Sequence, residues 1–187
     1  MKIKVNQLLS ELKTMTENNI KAAETLLSQS NENLNTRKSE NSWTVLECLE
    51  HLNFYGKFYL PEIENRIRKS QFPSKSPDFK AGIVGNYFTD MMRPKEKLKK
   101  MKTLKTANPI HKLLDKSVIA EFIGQQHIML QLLEKAKTID LEKTKTSISI
   151  SKLIKLKLGD TFRFVIYHNW RHVRQAENIL SIISLKD

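Results

Sequence analysis

Apolar residues recur at steps of three and four positions in four separate segments of the chain. In the first segment this period runs from Leu8 to Leu26, and turn-forming residues follow at 28–33. Apolar positions three and four apart share one face of an α-helix, so the pattern predicts an amphipathic helix. Similar stripes run from Val45 to Ile67, from Val118 to Ala136 and from Val165 to Ile183. Four amphipathic helices of this length predict a helix bundle.

Local signals place the starts of the later helices. Thr44 is followed three residues later by Glu47, which predicts a capping box at the start of the second helix. Pro61 lies inside that helix and is expected to kink it, because proline supplies no amide proton and crowds the preceding turn. The third helix is expected to begin near Asp115 or Ser117. Asp160 is predicted to be the N-cap of the fourth helix.

Two connecting segments break the helical period. The segment Gln71–Pro109 holds four prolines, two glycines and a lysine cluster, which predicts a long irregular excursion. In Thr144–Leu158 the apolar residues alternate as they do in a strand. Because no second strand-like run is available for pairing, we expect an extended loop packed along the bundle. The predicted fold is therefore all-α, a four-helix bundle with long irregular connections, in a single domain of residues 1–187.

Composition supports this class. The 187 residues include only 5 Gly and 5 Pro, a shortage that disfavours a turn-rich all-β fold. Cys48 is the one cysteine, so an intramolecular disulfide is excluded and a reducing, cytoplasmic location is expected. No run of 18 uncharged apolar residues occurs, so we expect no membrane-spanning segment.

Charge raises the question of a polyanionic partner. The chain has 32 Lys+Arg against 20 Asp+Glu, a formal net charge of +12. Its lysines are densest at 93–105 and 137–157, and no nucleic-acid recognition motif accompanies them. We expect solvated lysine-rich segments and no specific nucleic-acid partner. A basic nucleic-acid-binding helical module without catalysis remains the alternative from a different class.

Three histidines form the candidate chemical site. His168 and His172 are four residues apart, so their imidazoles lie on one helix face and can meet one metal ion. His51 lies at the edge of the apolar stripe of the second helix and is the candidate third ligand. Three neutral imidazoles suit Zn²⁺, Ni²⁺, Fe²⁺ or Co²⁺ and leave coordination positions open for water or substrate. From periodicity alone, this metal site and unrelated surface or capping histidines are equal alternatives.

Two motifs carry a resemblance to a known family. The first is Trp43-Thr-Val-Leu-Glu-Cys-Leu-Glu-His51-Leu, and the second is His168-Asn-Trp-Arg-His172-Val-Arg-Gln175. Together they resemble the DinB-like family of four-helix bundles, in which a His-Leu pair precedes a His-x-x-Arg-His-x-x-Gln motif. The resemblance implies that the metal ligands are His51, His168 and His172, with Zn²⁺ or Ni²⁺ as the expected metal.

The family resemblance also suggests a chemistry. The DinB-like family is similar to bacillithiol S-transferases and mycothiol-dependent maleylpyruvate isomerase. This similarity implies a thiol-dependent S-transferase that acts on small electrophiles and uses a low-molecular-weight thiol as cofactor. A metal-dependent small-molecule hydrolase is the alternative. By resemblance we also expect a homodimer.

Residues around the histidines receive more modest expectations. Gln175 or Asn169 is expected to orient an imidazole. Arg171 and Arg174 are interpreted either as partners for a carboxylate or as solvated helix residues. Cys48 is expected to be buried and inert. Four aromatic residues near His51 are expected to be core, and His111 and His127 to lie on the surface. The four aromatic residues are Trp43, Phe54, Tyr55 and Phe58.

A lid is predicted in the excursion. The stretch Gly82–Phe88 combines two glycines, taken as hinges, with aromatic residues that can cover a small ligand. We therefore expect Tyr87 or Phe88 close to the metal pocket and the lysines after Pro94 in solvent. A tolerated surface insertion is the competing interpretation.

Overall fold

The computed structural model describes residues 2–93 and 103–183. Six α-helices and four short strands occur within those residues, together with two short 3₁₀ turns. The helices are α1 (Val5–Leu26), α2 (Asn31–Asn35), α3 (Val45–Arg68), α4 (Ile83–Met92), α5 (Ser117–Lys135) and α6 (Leu158–Ile183). The strands are β1 (Lys2–Lys4), β2 (Asp78–Lys80), β3 (Lys145–Ile148) and β4 (Ser151–Lys157).

The four long helices α1, α3, α5 and α6 form the predicted bundle. The most extensive helix contacts join α3 to α5 and α6, and join α1 to the same two helices. The helices α1 and α3 therefore occupy opposite corners. Of the helices in the described ranges, none combines the length and the apolar character needed to cross a bilayer.

The capping box at the start of α3 is confirmed. The Thr44 side chain accepts from the Glu47 amide, and the Glu47 carboxylate accepts from the Thr44 amide. Helix α3 continues through Pro61 to Arg68 as one helix, and α5 begins at Ser117 as predicted.

The bundle core is divided into two apolar clusters. One cluster, which we call the strand end, is covered by the small strands and contains Leu8, Leu12, Tyr59, Ile63, Phe79, Met129 and Phe162 among others. The other, which we call the cap end, lies beside α2 and the start of α3 and contains Leu26, Leu34, Val45, Leu49, Phe122 and Val173 among others. Each long helix passes from one cluster to the other along its length.

Buried polar residues lie where the two clusters meet. On α3, α5 and α6 these residues are joined by hydrogen bonds: Gln125 Nε2 donates to the Asn53 carbonyl over 3.3 Å, and Asn169 Nδ2 donates to Gln126 Oε1 over 3.0 Å. We call this layer the polar belt. Its members are Thr16, Asn19, His51, Asn53, Gln125, Gln126, His168 and Asn169.

The expectation of an extended loop at Thr144–Leu158 is wrong. The segment folds back on itself as an antiparallel hairpin, in which Lys145 pairs with Lys157 and Ser147 with Lys155. The partner strand lay inside the same alternating run. The hairpin is fixed to the bundle because Thr146 and Thr161 share a hydrogen bond of 2.6 Å and the Ser147 amide donates to Glu62.

The excursion Gln71–Pro109 is more ordered than predicted. Strand β2 pairs antiparallel with β1 at the start of the chain, and α4 follows it. Residues 94–102, which include all but one of the lysines expected in solvent, lie outside the described part of the chain, and the remaining one, Lys105, is exposed as expected.

Asp160 has a different role from the predicted N-cap. Helix α6 already begins at Leu158, so Asp160 lies in its first turn. The buried Asp160 carboxylate accepts from the Gly82 amide over 2.8 Å and pairs with the buried Arg163 guanidinium over 2.9 Å. A Cβ at Gly85 would lie 2.4 Å from the Asp160 carboxylate, so only glycine permits this approach of α4 to α6. Gly82 and Gly85 therefore pack against Asp160, and their interpretation as hinges stays a prediction.

Candidate metal centre

His51 from α3 and His168 and His172 from α6 meet at the polar belt. One ring nitrogen of each histidine lies within 4.8 Å of the corresponding nitrogens of the other two. The i, i+4 spacing on α6 places two of these imidazoles edge to face on one side of the helix, and the contact between α3 and α6 brings the third against them. The sequence had left a shared site and scattered histidines as equal alternatives, and the fold brings the three together.

His51 is held by a backbone carbonyl from a distant segment. Its Nδ1 lies 2.8 Å from the carbonyl oxygen of Ala107, in a short 3₁₀ turn. A carbonyl oxygen can only accept, so Nδ1 carries the proton and Nε2 presents its lone pair. That Nε2 lies 3.2 Å from His168 Nε2. The Nε2–H group of His168 therefore donates to His51 Nε2, and these two histidines could together hold a cation.

His172 is oriented from within its own helix. Its Nδ1 donates to Gln175 Oε1 over 2.9 Å, which leaves Nε2 available to a ligand. The expected orienting role of Gln175 is confirmed. Asn169 instead donates to Gln126 in the polar belt.

The environment keeps the imidazoles neutral. Burial lowers the pKa of His51, and burial together with the nearby His172 and His51 holds the pKa of His168 well below its usual value. For His172, burial and the neighbouring His51 lower the pKa to about 3. Neutral imidazole is the form that binds metal ions, so the donor set fits a divalent cation without prior loss of protons.

Three half-buried aromatic rings surround the histidines. The Trp43 ring centroid lies 4.8 Å from that of His51 and 5.5 Å from that of His172. The Tyr55 centroid lies 5.0 Å from both His51 and His168. Phe164 stacks on His168 with centroids 6.0 Å apart. Trp43 packs against the cap end and Tyr55 against the strand end, as expected, and both rings also contact the histidines.

Of the other two aromatic residues in that set, Phe58 packs against the strand end as expected, and Phe54 is exposed. Phe164 was missed. Its position four residues before His168 was the available signal, because that spacing places both side chains on one helix face.

The remaining candidates differ in their burial and in their partners. Cys48 is buried in the cap end, and burial raises the pKa of its thiol, which agrees with an inert role. His111 and His127 are exposed as expected. Arg174 pairs with Glu177 on the surface, whereas Arg171 is buried, and burial lowers the pKa of its guanidinium.

The predicted lid is a helix whose contact with the site is indirect. Phe88 on α4 lies 6.2 Å from Phe164, centroid to centroid, and Phe164 in turn stacks on His168. Tyr87 is 63% exposed, and its ring contacts that of Phe88. Helix α4 therefore supports the aromatic wall of the site from behind.

The fold and the site define a helix-bundle protein with three histidines positioned to bind a metal ion. A family model for the DinB superfamily matches residues 11–176, and the chain belongs to this superfamily. Neither the curated proteins nor the solved structures include a significant match to the chain.

Proposed function

We propose that this protein is a metal-dependent enzyme in which His51, His168 and His172 hold one divalent cation, Zn²⁺ or Ni²⁺. One observation carries the proposal: three neutral imidazole donors converge within 4.8 Å beneath half-buried aromatic rings. Three protein ligands leave coordination positions open, which distinguishes a catalytic from a closed structural site. Membership of the DinB superfamily supports the same conclusion.

We further propose that the reaction is the transfer of a small-molecule thiol to a small electrophile. A divalent cation at this site would lower the pKa of a bound thiol and so favour the nucleophilic thiolate at neutral pH. The chain's own Cys48 is buried with a raised thiol pKa, so the nucleophile comes from a separate cofactor.

The residues of the chain prepare this site. The Ala107 carbonyl and Gln175 hold the Nδ1 protons of His51 and His172, so that the Nε2 atoms would be free to bind the cation. Trp43, Tyr55 and Phe164 provide an apolar wall that excludes water and receives the carbon skeleton of an electrophile.

Metal binding is tested first. Purified protein loaded with Zn²⁺ or Ni²⁺ is expected to hold about one ion per chain, as a single three-imidazole site requires. A His51→Ala, His172→Ala double variant is expected to lose this ion. His127→Ala removes an exposed histidine on α5 and serves as the matched control, with unchanged metal content. Equal metal content in the double variant and the control would contradict the proposal.

Turnover tests the reaction. The metal-loaded protein is incubated with a panel of low-molecular-weight thiols and electrophiles, with His168→Ala as the inactive control. Thioether formation that needs both the thiol and the metal supports the transferase. Ester or amide cleavage without any thiol would replace it with the hydrolase. Sub-micromolar duplex binding at physiological salt, with neither activity, would favour the nucleic-acid module.

A further inference from the structure

The two oriented histidines of the site depend on very different supports. His172 is oriented by Gln175 one turn further along the same helix. His51 is oriented by the Ala107 carbonyl, which belongs to a connection 56 residues away in the chain. A helix keeps its own i, i+3 contacts, but a connecting segment must be held in place by other side chains. The orientation of His51 therefore depends on what holds Ala107.

Trp43 holds the residue that follows Ala107. Its indole Nε1 donates to Asn108 Oδ1 over 3.0 Å, and the same oxygen accepts from the Ile110 amide over 3.3 Å. The Trp43 ring also contacts His51 and His172. One side chain thus touches two imidazoles and fixes the segment that orients one of them.

Glu47 holds the far end of the same segment. This buried carboxylate accepts from the His111 amide, from the Thr44 amide and from the Arg37 guanidinium. His111 has a φ of 64°, a conformation that residues with side chains rarely adopt. The charge-assisted bond to Glu47 compensates for this conformation and ties the segment to α3 one turn before His51.

We infer that Trp43, Asn108 and Glu47 are positioning residues that hold the Ala107 carbonyl on His51 and thereby set the metal affinity of the site. The inference rests on the proposed function. Partners that orient a ligand imidazole fix its tautomer and its direction, and their loss typically weakens metal binding by about 10- to 100-fold.

Two substitutions at the Trp43–Asn108 hydrogen bond test the inference. Trp43→Phe removes the Nε1 donor and keeps an aromatic ring beside the histidines. Asn108→Ala removes the acceptor, whereas Asn108→Asp keeps an acceptor oxygen at this exposed position. The measurement is the Zn²⁺ dissociation constant, obtained by competition with a chromophoric chelator, together with the absorption spectrum of the Co²⁺-loaded protein.

We expect Trp43→Phe and Asn108→Ala to bind Zn²⁺ about 10- to 100-fold more weakly and to change the Co²⁺ spectrum. Asn108→Asp is expected to bind as the unaltered protein does. The matched control is Glu50→Gln, because Glu50 also joins α3 to this connection, through Lys112 over 2.9 Å, but as an exposed surface pair. It is expected to leave the dissociation constant unchanged.

Glu47→Gln is a supplementary variant, because loss of a buried charge is also expected to lower folding stability. Unchanged Zn²⁺ binding in Trp43→Phe and Asn108→Ala would overturn the inference, and so would equal weakening in Asn108→Asp or Glu50→Gln. The His51→Ala variant distinguishes failure of the proposed function from failure of the positioning inference. If that variant binds Zn²⁺ normally, the proposed function fails; if it loses Zn²⁺ while Trp43→Phe does not, the positioning inference alone fails.

Discussion

The two ends of the bundle are stabilised in different ways. At the strand end, contacts join residues that are distant in sequence, such as Asp160 with the Gly82 amide and Ser147 with Glu62. At the cap end, much of the polar support is local, as in the Thr44–Glu47 capping box and the Arg37–Glu47 ion pair. The comparison teaches that the start of α3 is capped by neighbouring residues, whereas the contacts of the hairpin and of α4, like the Trp43–Asn108 and Glu47–His111 contacts, require the assembled fold.

The largest expected effects come from emptying either apolar cluster. Phe162 on α6 belongs to the strand end and Phe122 on α5 to the cap end, and both side chains are fully buried. Phe162→Ala and Phe122→Ala are each expected to lower the free energy of unfolding by about 3–5 kcal/mol, because each leaves a cavity. Urea unfolding measures this loss.

Hydrogen exchange then separates the two ends. Amides of the β3–β4 hairpin are expected to exchange faster in Phe162→Ala than in Phe122→Ala at low urea, because Phe162 lies in the cluster beneath the hairpin. Equal loss of hairpin protection in both variants would show that the ends do not open separately.

The buried ion pair is the next largest contribution at the strand end. Asp160→Asn removes the charge that pairs with Arg163 and is expected to cost about 1.5–3 kcal/mol of unfolding free energy. Asp90→Asn breaks the exposed pair with Arg93 on the same α4 region and is expected to cost no more than about 1 kcal/mol. Urea unfolding measures both losses. Similar losses in the two variants would show that burial does not strengthen the Asp160–Arg163 pair.

Acid is expected to destabilise the histidine cluster that lies at the polar belt. In metal-free protein the pKa of His172 is about 3, below the ordinary 6.5 that holds in the unfolded chain. As the pH falls, the unfolded state therefore binds the proton before the folded state does. The free energy of unfolding keeps the full His172 contribution above about pH 6.5 and decreases as the pH drops toward the pKa of the folded state. One unit below 6.5, His172 alone is expected to contribute a loss of about 1.4 kcal/mol.

This loss is measured by urea unfolding of chelator-treated protein at pH 7.5 and 5.5. A His172→Gln variant is expected to show a smaller loss, and His127→Gln, at an exposed position, the full loss. Stability that stays level across this range would contradict the neutral state of the buried imidazoles.

The smallest expected effect is at the capping box of the cap end. Thr44→Val preserves the shape of the side chain but removes the oxygen that accepts from the Glu47 amide, and is expected to cost about 1 kcal/mol. The control Thr25→Val, at an exposed hydroxyl near the end of α1, is expected to change the unfolding free energy by less. A larger loss of unfolding free energy in the control than in Thr44→Val would contradict the stabilising role of the Thr44 cap.

The same division explains which elements the sequence could predict. The long helices and the Thr44 cap depend on residues three and four apart, so they were accessible from the pattern alone. The β3–β4 hairpin was missed because its pairing partner lay in the same alternating run. Strand β2 was missed because it is short and pairs with Lys2–Lys4, which lie far before it in the chain. Asp160 was taken for a cap because its partner, the Gly82 amide, is supplied by tertiary structure.

The candidate site was predictable to a similar extent. The spacing of His168 and His172 and the family motif named all three histidines, and Gln175 followed from its place one turn later. The Ala107 carbonyl could not be found in this way, because a backbone acceptor carries no residue-type signal. The homodimer, the cytoplasmic location and the identity of the metal stay predictions.

The polar belt has a consequence for how the helices slide past one another. Leucines tolerate many neighbours, so two purely apolar helices can shift lengthwise by a turn with modest penalty. Here a shift of α5 by one turn would withdraw Gln125 and Gln126 from Asn53 and Asn169 and press their amides against aliphatic side chains. A buried amide without a hydrogen-bond partner is costly, so the hydrogen bonds of the polar belt fix the lengthwise alignment of α3, α5 and α6. That alignment is also what brings the imidazoles of two separate helices to the same height.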